Sequence, residues 1–296
     1  MNFGIGEFYS LACALVWAVA VVLFKKSGES IGPFALNLFK NTLAAVLLGI
    51  TVFVISPEVP DFTPLSLGLI GVSGLLGICF GDSYYLRALN SIGASRMAVA
   101  QTLFSPFVIV LSAIFLRERL HGLQWLGAAF VLGGIVLVTW TRDAAMSAVD
   151  ARRLRTGAAL GVLSVLLMAI GIVMAKPMLA LHAFLWVVWL RVLAGVAGLL
   201  VVIAIKRNAG ALLAEYRAVR HWPQMIAGSL AGTYLSMMLW LAGYKYTSAS
   251  VAAVLNETAA VFIVLLAVVF LHEKVGRRQV IGIAFAMFGV SLMVLS

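Results

Sequence analysis

The chain has 296 residues, 63% hydrophobic and only 11% charged, with mean hydropathy +1.09 and net charge +10. A soluble domain carries roughly 45–50% apolar and about 25% charged residues, so one water-soluble core does not account for this balance. It points to the bilayer as solvent, where each spanning helix needs about 20 apolar residues.

In chain order the sequence predicts ten such segments: 7–25, 33–55, 65–89, 95–116, 122–140, 157–176, 184–205, 223–245, 249–271 and 277–295. The first has no basic leader region and no small-residue cleavage site, so it is expected to be a retained span. The runs are continuously apolar without period-two alternation, which favours helices over a barrel. Most connections are short. The two long polar ones are the basic linker 141–156 and the loop 206–222.

The segments repeat. Glu118 and Glu273 lie 155 residues apart, and so do Gly127 and Gly282, Gly134 and Gly289, Phe115 and Phe270, and Ser95 and Ser250. In the first two spans of each half the offset is 151, which sets Lys25 on Lys176 and Lys40 on Arg191. Residues 1–140 and 157–296 therefore form two copies of five spans. Five is odd, so the second copy enters the membrane from the opposite side. The expected fold is all-α, with ten transmembrane helices arranged as two inverted five-helix repeats. Inverted repeats are typical of secondary transporters, with the substrate near the midplane.

The paired stretches "FLRERL…QWLGAAFVLGGIVLV" and "FLHEKV…QVIGIAFAMFGVSLM" resemble the double signature of the EamA branch of the drug/metabolite transporter superfamily. The first span "ALVWAVAVVLFKKS" and the cation Lys40 fit the same pattern. The resemblance covers both halves. It implies a ten-helix fold with a central cavity, usually exporting small metabolites such as amino acids. Two departures, Met168 at the place of Trp17 and His272 at the place of Arg117, imply an asymmetric cavity.

Four charges sit inside spans: Lys40, Asp82, Arg191 and Glu257. A charge at the bilayer centre costs about 2.5–3.5 kcal/mol on insertion scales, so such groups pair or face a wet cavity. At about 1.5 Å per residue, Lys40 matches Asp82 in depth near one face, and Arg191 matches Glu257 near the other. One ion pair per half is expected. The acids are not repeat-related, since Asp82 falls on Met237 and Glu257 on Thr102. Each pair reads either as a static salt bridge or as a gate with a proton-carrying carboxylate.

Trp17, Tyr84, Gln101, Ser105, Tyr234, Trp240 and Asn256 are candidates to line the cavity, with ordinary packing as the alternative for the aromatics. Lys25 and Lys176 end the first span of each half; they either snorkel to the interface or attract an anionic group of the substrate. Glu118 and Glu273 precede the last helix of each half and are expected to cap it through its free N–H groups. Pro106 is expected to kink the fourth span. The glycines seven apart in the fifth and tenth spans make small-residue packing faces.

No nucleophile motif, metal-ligand spacing or phosphate loop is found, which argues against an enzyme, a metal site or a cofactor. Cys13 and Cys79 imply no disulfide framework. The basic residues lie at span ends and in loops, so nucleic acid is not an expected partner; a small-molecule substrate and the lipid bilayer are. Monomer and homodimer both stand. The expectation is an integral protein of the bacterial inner (cytoplasmic) membrane with both termini on one side. The positive-inside rule puts the two basic connections in the cytoplasm and the termini outside, whereas the family resemblance implies cytoplasmic termini. The functional expectation is a secondary transporter exporting a small polar or amphipathic metabolite by alternating access, with proton coupling as an option. A multidrug or lipid-moving efflux protein and a non-transporting scaffold or sensor are the alternatives.

Overall fold

The computed structural model describes residues 4–115, 148–247 and 249–294, and a few positions between 122 and 134. The described residues are helical, with no strand among them. Ten helices are labelled here. They are α1 (Ile5–Ser27), α2 (Pro33–Ile55), α3 (Pro64–Ile92), α4 (Ala94–Phe115), α5 (Ala148–Leu181), α6 (Phe184–Lys206), α7 (Ala209–Arg217), α8 (Trp222–Tyr246), α9 (Ala249–Leu271) and α10 (Arg277–Val294). Helices α1 to α6 and α8 are long and apolar enough to cross a membrane. Shorter apolar stretches, Leu255–Leu271 and Val280–Gly289, run through α9 and α10. Helix α7 is a short surface element. The expected span 122–140 lies largely outside the described residues, as does Glu118.

Local chemistry sets the helix starts. Pro33, Pro64 and Pro223 stand in the first turns of α2, α3 and α8, where the missing N–H costs nothing. The Thr63 hydroxyl accepts the Ser66 N–H at 3.2 Å. At α1 the Glu7 carboxylate accepts the Gly4 N–H at 3.0 Å. Lys25 and Lys26 sit in the last turn of α1, where a cation opposes the helix dipole.

Two departures from regular helix are repeat-related. A π-helical turn over Leu75–Gly81 interrupts α3, and another over Leu230–Leu235 interrupts α8. Their first residues are 155 apart. A π turn widens the helix by one residue and re-aims the side chains beyond it. Helix α4 breaks at Thr102–Leu103 and resumes at Phe104, so Pro106 stands in the first turn of a new segment rather than kinking a continuous helix.

Contacts sort the helix ends into two sets. At one end the Lys25 ammonium donates to the Asn90 carbonyl, Gly157 packs on Ile92, and α7 docks on the start of α2. At the other, Trp186 donates to the Ser56 carbonyl at 2.9 Å and Thr247 donates to Glu7 at 2.7 Å. Helix α5 begins inside the segment read as a linker, leaving Arg152, Arg153 and Arg155 on an extra helical stretch. Gly127, Gly134, Gly282 and Gly289 are all buried, and Phe130 meets Phe285 and Phe288 at 5.7 and 5.1 Å between ring centroids. The glycine faces are packed within the chain.

Candidate functional site

A cavity of about 110 Å³ opens between the helices near the middle of their length. It has room for several waters or a small solute, since one water needs only about 10–15 Å³. Helices α1, α2, α3, α4, α5, α6, α8 and α9 all contribute to its wall.

Of the residues expected there, Trp17, Gln101, Trp240 and Asn256 line the cavity, together with all four intramembrane charges. Tyr85 takes the place expected for Tyr84. One helical position turns a side chain by about 100°, and the π turn before Asp82 makes that phase hard to count from sequence. Tyr234 instead faces α2, where its hydroxyl lies 2.8 Å from Thr51 Oγ1. Thr51 gives its own proton to the Leu47 carbonyl, so Tyr234 is the donor. Lys25 is tied to Asn90 and is not in the wall, nor is Lys176.

Gln101 gathers three helices. Its side-chain carbonyl accepts from Trp17 Nε1 at 3.3 Å and from the Tyr85 hydroxyl at 3.1 Å. The Lys40 ammonium and the Asp82 carboxylate form the expected buried ion pair. Asn37 braces it, donating to the Ile78 carbonyl and to Ser83, both at 2.9 Å. The ladder bonds that a π turn rearranges leave such carbonyls open to side-chain donors.

The second expected pair, Arg191 with Glu257, does not form. Arg191 is 2% exposed; its Nε donates to Ser73 Oγ at 2.8 Å, and its guanidinium lies 5.4 Å from the Trp240 ring centroid. Ser73 in turn donates to the Gly171 carbonyl at 2.6 Å. Gly77 makes the reach of the arginine possible, because a Cβ there would sit 2.7 Å from a guanidinium nitrogen. Glu257 accepts the Ser105 N–H at 3.1 Å and the Ser105 hydroxyl at 2.8 Å. Ser105 is in the first turn after the break in α4, so the carboxylate caps a half-helix N-terminus. Equal depth does not pair the two groups, because depth does not fix azimuth. The break in α4 supplied donors that no periodic pattern announces. Ser105 therefore sits behind Glu257 rather than in the wall.

Glu273 caps a helix, but not the one that comes after it in the chain. Its carboxylate accepts the Ala94 N–H at 2.8 Å, the Ser95 N–H at 3.0 Å and the Ser95 hydroxyl at 2.6 Å. It thus closes the start of α4, in the other repeat. Gly93 allows the approach twice over: its φ is +85°, and a Cβ would lie 3.0 Å from the carboxylate.

The missed wall residues include Cys13, Tyr85, Phe104, Ser236 and Met237, and Met168, at the repeat position of Trp17, also lines the wall. The repeat offset was a usable signal for several. Trp17 corresponds to Met168, Tyr85 to Trp240, Gln101 to Asn256 and Lys40 to Arg191, and every one of these lines the cavity.

Apolar spanning helices around a largely apolar central cavity, with buried charged side chains in its wall, are the build of a membrane transporter. The sequence profile of the EamA-like transporter family matches residues 4–140 and again 155–295, and the chain belongs to that family. It is 28% identical over 139 residues to an "Uncharacterized transporter in cobO 3'region" of Sinorhizobium sp; the match covers 45% of this chain and 94% of that protein. A solved structure described only as "Crystal structure of protein" superposes with a TM-score of 0.67 at 17% identity, covering 98% of this chain and 96% of that one. The last likeness concerns the fold alone.

Proposed function

We propose that the protein is a secondary transporter of a small zwitterionic metabolite, an amino acid for instance, working by alternating access between two inverted five-helix repeats. One observation carries this reading. Arg191 and Glu257, a base and an acid, are buried in the wall of one cavity, yet they do not pair with each other. Buried charges are costly unless matched, so a ligand carrying a carboxylate at one end and an ammonium at the other suits the pair. Arg191 meets the carboxylate and Glu257 the ammonium, while Trp17, Tyr85, Phe104 and Trp240 surround an apolar portion.

The duplication is supported by the correspondence of wall residues and π turns across the two family matches, and its inversion by the starts of α1 and α5 at opposite ends of the molecule. Alternating access then proceeds by rocking of one repeat against the other about the midplane. Export is the direction that the family resemblance implies, with the bacterial inner membrane as the setting. Glu257 is the candidate proton carrier: protonation removes its charge and weakens its hold on Ser105, which joins α9 to α4. A second reading, efflux of amphipathic drugs or lipids, is favoured by the methionines and aromatic rings in the wall.

The test is reconstitution of the purified chain into vesicles, with a panel of labelled amino acids and cationic dyes, with and without a proton gradient. Flux of one or more zwitterions above empty vesicles supports the proposal. Flux of dyes alone selects the second reading.

A further inference from the structure

The connection between α6 and α8 holds a basic surface that plays no part in the cavity. Lys206, Arg207, Arg217 and Arg220 flank α7, and all four are exposed. The single acid of the stretch, Glu215, is turned away from them: its carboxylate accepts the Gly32 N–H at 2.9 Å and caps the start of α2. The neighbouring Tyr216 hydroxyl donates to the Ala35 carbonyl at 2.8 Å. Burial, with the Glu215 carboxylate beside it, pushes that hydroxyl up to about 12. Helix α7 is therefore pinned to the body, and Glu215, the one acid within this connection, is engaged by the start of α2. Arg207 turns the chain between α6 and α7 at φ 50°. Leu213, 51% exposed, and Trp222, 38% exposed, add apolar surface next to the cations.

We infer that this surface is a docking site for anionic phospholipid headgroups. Helix α7 lies in the headgroup layer, and the end of the molecule that carries it faces the cytoplasmic leaflet. Three features point to lipid rather than to an acidic protein. The basic residues begin where the apolar run of α6 ends, which is headgroup depth for a helix long enough to span. A tryptophan at the start of α8 marks the same level. The exposed leucine beside the cations matches an interfacial helix with acyl chains beneath it. The orientation follows from charge. Arg152, Arg153 and Arg155 belong to the same end of the molecule as α7, since Gly157 packs on Ile92 at the end that α7 caps. Clustered cations are retained on the side with anionic lipid. The start of α1, bonded through Glu7 to Thr247, is at the opposite end and so lies outside the cytoplasm.

The experiment uses the full chain in neutral detergent. Phosphatidylglycerol or phosphatidylcholine is titrated in, and the thermal midpoint is followed. Phosphatidylglycerol is expected to act at a concentration at least tenfold lower, with the advantage shrinking as salt rises. A variant carrying K206Q, R207Q, R217Q and R220Q is expected to lose most of that preference, each cation contributing roughly fivefold at most. Equal action of the two lipids, an advantage insensitive to salt, or tighter binding of polyglutamate than of phosphatidylglycerol would each overturn the inference. The orientation is read separately with Gly210→Cys, a position where a side chain meets open space. A membrane-impermeant maleimide is expected to label it in inverted vesicles and not in spheroplasts; the reverse pattern refutes the orientation. Neither readout depends on transport, so the result stands apart from the substrate assignment.

Discussion

The two halves carry the same cation and treat it differently. In the first half Lys40 is neutralised on the spot by Asp82 from the next spanning helix. In the second half the corresponding Arg191 meets a hydroxyl and a ring, because Met237 stands where Asp82 would be. The acid of the second half, Glu257, sits on α9 and is held by the broken helix α4 of the first. A duplicated frame thus ends with one closed charge pair and one open one. The closed pair ties α2 to α3, while Arg191 and Glu257 face the cavity without pairing with each other.

The largest effect should come from Arg191. Arg191→Gln keeps a donor and removes the charge, and it is expected to lower flux at least a hundredfold in vesicles matched for protein content. Lys would restore charge without the planar fork, so Arg191→Lys is expected to recover only part of it. Glu257→Gln comes next. It retains an acceptor for Ser105, so the chain should fold, but flux should fall at least tenfold and lose its response to an imposed pH gradient. Flux that still tracks the gradient would remove Glu257 from coupling.

The closed pair predicts a change in stability rather than in coupling. Lys40→Met leaves Asp82 buried without its cation, a loss of about 3–5 kcal/mol that thermal unfolding in detergent would read. Adding Asp82→Asn should recover much of that loss. Smallest is the cap: Glu273→Gln weakens three bonds at the start of α4 and should cost about 0.5–2 kcal/mol.

Much of this contrast is legible in the residues alone. Apolar run lengths locate the spans that the structure describes, and the offset of 151 places Lys40 on Arg191. Depth matching finds the Lys40–Asp82 pair, because antiparallel neighbours joined by a short loop bring equal depths together. The same reasoning fails for Arg191 and Glu257, which come from helices far apart in sequence. The neighbours they meet instead, Trp240 after the π turn in α8 and Ser105 after the break in α4, are placed by features that do not disturb hydropathy. Glu273 is recognisable as a cap, but its target is not, since a carboxylate in a turn reaches any N-terminus that tertiary packing brings near. Tyr85 is within reach if the repeat is pressed further, because its counterpart Trp240 is already a candidate.

The open pair is tested most directly by competition in reconstituted vesicles. For any amino acid the wild-type protein moves, its deaminated acid and its decarboxylated amine are added in turn. With both charges read by the cavity, the intact zwitterion competes, and each analogue lacking one charge competes at least tenfold less well. An amine or acid that competes as well as the parent would contradict a site spanning Arg191 and Glu257.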